Sequence, residues 1–190
     1  IIAQDATVDN SSYPTPKIEK TARDYRELGL GFANIGALMM NLGLPYDSDE
    51  ARAYAGAISS IMTGEAYNMS ARIAGAVGPF AGYAKNEEPM LGVIKMHGQE
   101  ARKINKKYLP QVLWQEAQAV WENACAGCKL YGVRNSQVSV IAPTGTISFM
   151  MDCTTTGIEP AFSVVSYKKM VGGGFLKIVN TSVEPALRNL

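Results

Sequence analysis

Apolar residues recur mostly at helical spacing along this chain, in stretches punctuated by glycine and proline, and strand-like alternation is confined to the last third. Residues 17–27 are densely charged and predict an exposed helix. LGLGFANIGALMMNLG, residues 28–43, is largely apolar with Gly29, Gly31, Gly36 and Gly43, and predicts a short strand or turn feeding a buried helix packed close to a neighbour. Ala51, Tyr54, Ala55, Ile58, Ile61, Met62 and Tyr67 then mark a long helix, capped by Asp47 or Ser48 and stopped by Gly78 and Pro79. Its small residues suit it to lie against a sheet. FAGYAKNEEP reads as a loop, followed by helices over 90–104 and 110–131, the second ended by Gly132. SQVSVIAP alternates and is β-branched, as a strand would be, and FSVVSYKKM predicts the next strand. VGGGFLKIVN reads as a glycine-rich turn and exit, and Ser182 and Pro185 open a final helix. Helices with late strands point to the α/β class.

Composition narrows the function. At 190 residues the chain is long enough for one domain with a substantial core, so residues 1–190 are read as a single domain. Eighteen basic residues against 17 acidic ones exclude a broad polyanion-binding surface, so direct nucleic-acid binding is not expected and any anion site must be local. No apolar run approaches the roughly 18 residues of a membrane span, and IIAQDATVDN has no basic leader region, which makes a cytoplasmic setting the expectation. The chain opens on isoleucine within an apparent helix end and closes on a helix just begun, so it is expected to be a segment of a larger catalytic chain.

The chemistry concentrates in VIAPTGTISFMMDC, residues 140–153. A strand that breaks at Pro143, turns through Thr144, Gly145 and Thr146, and restarts as a short helix at Ile147 exposes backbone N–H groups at one point, and two hydroxyls add donors. That is an anion cradle; the competing reading is an ordinary turn whose threonines cap the helix. Ser148 is a further hydroxyl, equally readable as packing. Cys125 and Cys128 have the CxxC spacing of a redox pair or half a zinc site, but no second CxxC follows and His97 is far off in sequence. On a helix they share one face, which favours small core residues, and Cys153 is read as structural. His97 predicts a surface or interface position. Asp152 and Glu159 flank CTTTGI as loop orienters or caps, and Lys168 and Lys169 read as a strand end with exposed lysines in preference to a second phosphate site.

IAPTGTISFMMDCTTTGIEPAFSVVSYKKMVGGG, together with LGLGFANIGALMMNLGLPYDSDEAR, MTGEAYNMSARIA and YGVRNSQVSVIAP, resembles the ribonucleotide reductase large subunit, most closely the adenosylcobalamin-dependent class II type. The resemblance covers nearly the whole chain in order. It implies part of a ten-stranded α/β barrel, here a helix-rich segment, and the reduction of ribonucleotides, diphosphates by preference, through a thiyl radical initiated by adenosylcobalamin. It implies that Pro143, Thr144, Gly145, Thr146 and Ile147 bind the substrate's phosphates. The implied partners are a ribonucleoside diphosphate, the remainder of the barrel, a thioredoxin-like reductant and a second copy in a homodimer. No N-x-C-x-E finger occurs here, and in the family the radical cysteine and the reducing pair lie N-terminal to the matched region, so no catalytic residue and no metal ligand is assigned. Thr154 stands where the class II pattern leads one to expect aspartate. A class I large subunit, or a non-catalytic piece that acts by associating with the rest of the barrel, are the alternative readings.

Overall fold

The computed structural model describes residues 1–189, which divide into two compact units: Ile1–Gly31 with Ala53–Val140, and Phe32–Arg52 with residues 141–189.

The first unit is helical. It contains α1 (Ile2–Asn10), α2 (Pro16–Tyr25), most of α4 (Asp49–Val77), α5 (Tyr83–Ala101) and α6 (Gln111–Tyr131); α3 (Ile35–Asn41) belongs to the second unit. Thr15 caps α2 by accepting the Ile18 N–H, with Pro16 at the first helical position, where no N–H is needed. Gly78 ends α4 with φ +88°, and Gly132 closes α6 with φ +72°, both conformations that favour glycine. Ala53, Ala57, Ala71 and Gly64 line α4, but they meet a helix and not the expected sheet. A Cβ on Gly64 would come within 2.7 Å of Val120 Cγ2, and one on Gly127 within 3.3 Å of the Ala71 methyl. Small residues here let α4 and α6 approach until Ser60 Oγ donates to the Ala117 carbonyl at 2.7 Å and Trp121 Nε1 donates to Ser60 Oγ at 2.8 Å. Ile94, Val120, Trp121, Ala124, Cys128, Val133 and Val138 fill the core beside them.

The structure starts α5 at Tyr83, seven residues before the expected start, with Pro89 inside the helix. Pro89 removes one ladder hydrogen bond. Burial of Phe80 and Tyr83, whose rings meet edge to face at 5.6 Å, anchors the first turn and overrides that local signal.

SQVSVIAP is extended as expected but forms only a brief parallel pairing with residues 28–30: Leu28 N donates to Gln137 O, Leu30 N to Val138 O, and Val140 N to Leu30 O, at 2.9 to 3.0 Å. The glycines before α3 make this possible, since a Cβ on Gly31 would lie 2.2 Å from the Val140 carbonyl oxygen.

The second unit holds α3, α7 (Ile147–Met150), β1 (Val165–Lys169), β2 (Phe175–Val179) and α8 (Val183–Asn189). β1 and β2 form an antiparallel hairpin in the register Val165 to Val179 through Lys169 to Phe175, so VGGGFLKIVN turns and then becomes a strand instead of leaving the fold. Gly173 and Gly174, at φ +91° and +82°, make that turn. α3 packs on α8, where Asn189 Nδ2 donates to the Asn41 carbonyl at 2.6 Å. Among the described residues helices dominate, the hairpin is the one sheet longer than an isolated bridge, and no closed barrel forms. Among the described residues no helix is long and apolar enough to cross a membrane.

Candidate functional site

Residues 142–148 form the turn that the sequence singles out. Thr144 takes φ +54°, uncommon for a β-branched residue, and side-chain hydrogen bonds hold it there. Its Oγ1 lies 2.7 Å from Ser148 Oγ and accepts the Gly157 N–H at 2.6 Å. Ser148 is buried and donates its N–H to the Thr144 carbonyl at 2.8 Å. Gly157 presses on the back of the turn. A Cβ there would stand 2.8 Å from the Ala142 carbonyl oxygen, and its φ of +49° is itself left-handed.

The expected pair of hydroxyls therefore divides. Thr144's is spent inside the turn. Thr146 is exposed, sits at the N-cap of α7 and makes no capping hydrogen bond, so it does not serve as the helix cap that the competing reading required. Among the described residues the N–H groups of Thr144, Gly145, Thr146 and Ile147 donate to no protein acceptor. Pro143, Gly145 and Ile147 are exposed, and the space a Gly145 Cβ would enter is open to 4 Å. Four backbone donors and one hydroxyl are thus left without a protein partner on a braced turn, an arrangement suited to an anion with several oxygens.

The turn rests on a second layer. CTTTGIE folds back so that Asn34, the residue before α3, accepts the N–H groups of Thr154 and Thr155 on its Oδ1, both at 3.0 Å; their hydroxyls lie 3.4 and 3.3 Å from the same atom. Thr155 Oγ1 accepts the Ala37 N–H at 3.2 Å, and Thr156 Oγ1 donates to Glu159 Oε2 at 2.7 Å. Glu159 is thus a turn-closing carboxylate, and Thr154 joins Asn34 and Ser182. Gly36 allows the contact, since a Cβ there would be 2.5 Å from the Glu159 carbonyl oxygen. Asn34 and Gly157 were legible only as an asparagine before a helix and a glycine in a turn. Nothing local joins Asn34 to Thr154 and Thr155, 120 and 121 positions away, or Gly157 to Thr144, 13 positions back.

Lys168 is half-buried, its ammonium 3.9 Å above the Phe149 ring of α7, while Lys169 is exposed. The CxxC pair points away from redox chemistry. Cys128 is fully buried, its thiol pushed up to about 12 by desolvation, and burial also raises Cys125. Activated thiols are shifted the other way. Iodoacetamide at pH 8 is therefore expected to label Cys128 only after unfolding, a pattern checked by mass spectrometry of native and urea-treated full-length enzyme. Labelling of native Cys128 as fast as of free cysteine would show the site to be open. His97 is stacked on Trp121 at 5.5 Å and lines a cleft of about 270 Å³ with Ser59, Thr63 and Glu100; burial holds its imidazole below the usual value. No group of three potential metal ligands exists among the described residues.

A helix-rich α/β segment carrying a braced turn with unpartnered backbone donors is the class of structure this geometry defines. The sequence model of the ribonucleotide reductase barrel domain matches residues 1–190, and the chain belongs to that family. It is 48% identical, over its whole length, to the vitamin B12-dependent ribonucleotide reductases of Rhodopirellula baltica and Streptomyces coelicolor. It is 29% identical, over 92% of its length, to a vitamin B12-dependent ribonucleoside-diphosphate reductase of Mycobacterium tuberculosis. The chain spans 18%, 20% and 19% of those three relatives.

Proposed function

We propose that this chain is the part of a vitamin B12-dependent ribonucleotide reductase that anchors the phosphates of a ribonucleotide substrate. The observation that carries the reading is the unspent donor set of residues 144–147 on a turn locked by Thr144, Ser148 and Gly157. Donors fixed before substrate arrives lose little entropy on binding it, and hydrogen bonds to charged oxygens are the stronger kind. Holding the phosphate end fixes where the ribose lies, so this segment's share of catalysis is orientation. The substrate is a diphosphate in this reading, in line with the name of the Mycobacterium relative.

Reduction proceeds through a thiyl radical on a cysteine supplied by another part of the longer chain, with a thioredoxin-like protein restoring the reducing pair. Adenosylcobalamin, when bound, supplies the radical that starts turnover. No residue of this chain is assigned to the cofactor. The remainder of the barrel covers the exposed hairpin, the assembled enzyme is a homodimer, and it works in the cytoplasm.

Thr146→Val in the full-length enzyme tests the reading with little structural disturbance, because the hydroxyl has no partner inside the fold. KM for a ribonucleoside diphosphate should rise about tenfold with thermal stability unchanged. An unaltered KM would remove the hydroxyl from the site and count against the assignment.

A further inference from the structure

We infer that Asn34 is a positioning residue for the phosphate-binding turn, acting through the Thr154 to Gly157 segment; this rests on the reading of residues 143–147 as that turn. The inference starts from an unusual conformation. Asn34 takes φ +72°, and although it stands at the N-cap of α3 its side chain makes no capping hydrogen bond to that helix. The side chain an N-cap asparagine would ordinarily spend on its own helix is turned to another segment, where Oδ1 receives two backbone N–H groups at 3.0 Å. These two amides are the shortest contacts of that oxygen, the Thr154 and Thr155 hydroxyls lying further off at 3.4 and 3.3 Å.

The two amides belong to Thr154 and Thr155, and two residues later the Gly157 N–H grips Thr144 Oγ1 at 2.6 Å. Gly157 also stands against the Ala142 carbonyl so closely that no Cβ fits. The Thr154–Gly157 segment is thus clamped at one end by Asn34 and braces the turn at the other. α3 backs it, with the Ala37 N–H on Thr155 Oγ1 and Gly36 against Glu159. Releasing the Asn34 clamp lets Gly157 shift, and with it the N–H that holds the Thr144 hydroxyl and keeps Thr144 left-handed. Displacement of donors by a fraction of an ångström weakens their hold on phosphate without touching the reacting centre.

The test uses the full-length, cobalamin-loaded enzyme and a ribonucleoside diphosphate. Asn34→Gly accommodates the left-handed backbone and removes the acceptor, so strain and hydrogen bonding are separated; Asn34→Asp keeps an acceptor in place. Asn34→Gly should raise KM about tenfold with kcat within about twofold, and Asn34→Asp should keep KM within about twofold of the parent. Should the glycine variant not fold, Asn34→Ser replaces it, its hydroxyl being too short to span both amides, with the same expected rise. A glycine or serine variant with normal KM, beside a Thr146→Val variant with raised KM, overturns the positioning role and leaves the phosphate turn standing. Normal KM in all of them overturns both. A fall in kcat with KM unchanged also overturns it, since a remote structural defect and not a displaced phosphate would then be the cause.

Discussion

Arg26→Ala is expected to destabilise the protein by about 3–5 kcal/mol, because it strips the partner from a buried carboxylate. Arg26 closes α2 in the left-handed region at φ +51°, with its side chain 4% exposed. Nε donates to Asp5 Oδ1 at 2.8 Å, Nη1 and Nη2 hold both oxygens of Asp9 at 2.7 and 2.8 Å, and Nη2 also reaches the Asp5 carbonyl. Asp5 is further held by Asn135 Nδ2 at 2.8 Å and by Arg134 at 3.4 Å. Asn135 in turn exchanges hydrogen bonds with Ser70 of α4. The guanidinium therefore ties α1 to the end of α2, and Asn135 carries the cluster on to α4 and the strand-like segment after α6. Arg26→Lys should recover only part of the loss, since the single nitrogen of an ammonium cannot grip both oxygens of Asp9 while also holding Asp5. The urea midpoint of the full-length enzyme reads the effect. A loss below about 1 kcal/mol would mean that water replaces the guanidinium and that the cluster is not closed.

The pH dependence follows in sign. Burial pushes the Asp5 carboxyl up, but hydrogen bonds from Arg26 and Asn135 outweigh it and leave the group below its ordinary 3.8; Asp9 is held down chiefly by its hydrogen bond from Arg26. Folded values below unfolded ones mean that the cluster's contribution is full above about pH 4 and disappears as pH falls through the folded values. Parent and Arg26→Ala should therefore differ most near neutrality and converge in acid. A constant gap across that range would assign the loss to packing.

Thr144→Val is expected to raise KM for a ribonucleoside diphosphate by roughly ten- to a hundredfold, more than Thr146→Val. Valine keeps the shape of threonine but leaves the Gly157 N–H without its acceptor and Ser148 Oγ without its neighbour, at a cost of about 1–3 kcal/mol to the turn. With its fastening gone, a β-branched residue at φ +54° relaxes toward the extended region, and the unpartnered amides of residues 144–147 lose their fixed arrangement. Thr144→Ser keeps the hydroxyl and should keep KM within about twofold. Steady-state kinetics on the three variants separates the roles. Equal effects of valine at 144 and 146 would place both hydroxyls on the anion and remove the bracing role from Thr144.

Local order was legible wherever a periodic apolar pattern met a strong end signal. The long helix capped near Ser48 and ended by Gly78, the helix ended by Gly132, and the short helix after Thr146 all follow from caps, glycines and spacing. The turn at Pro143 to Ile147 was likewise visible, because unpaired N–H groups are a consequence of chain direction at a strand-to-helix break. α5 was not legible at its start, where the buried rings of Phe80 and Tyr83 outweigh Pro89. The packing partner of α4 was not either, because a small-residue face fits a sheet or a helix equally well.

Sequence alone thus determined which residues could be helical and where a set of backbone donors would be left over, since both depend on neighbours a few positions apart. Tertiary structure decided which hydroxyl is spent and which is free, that Cys128 is sealed in the core, and that Asn34, Gly157 and Arg26 each fasten distant segments. Those outcomes depend on which groups folding brings within hydrogen-bonding distance. Asn34 and Thr155 are 121 positions apart in the chain, and no local rule of spacing joins them.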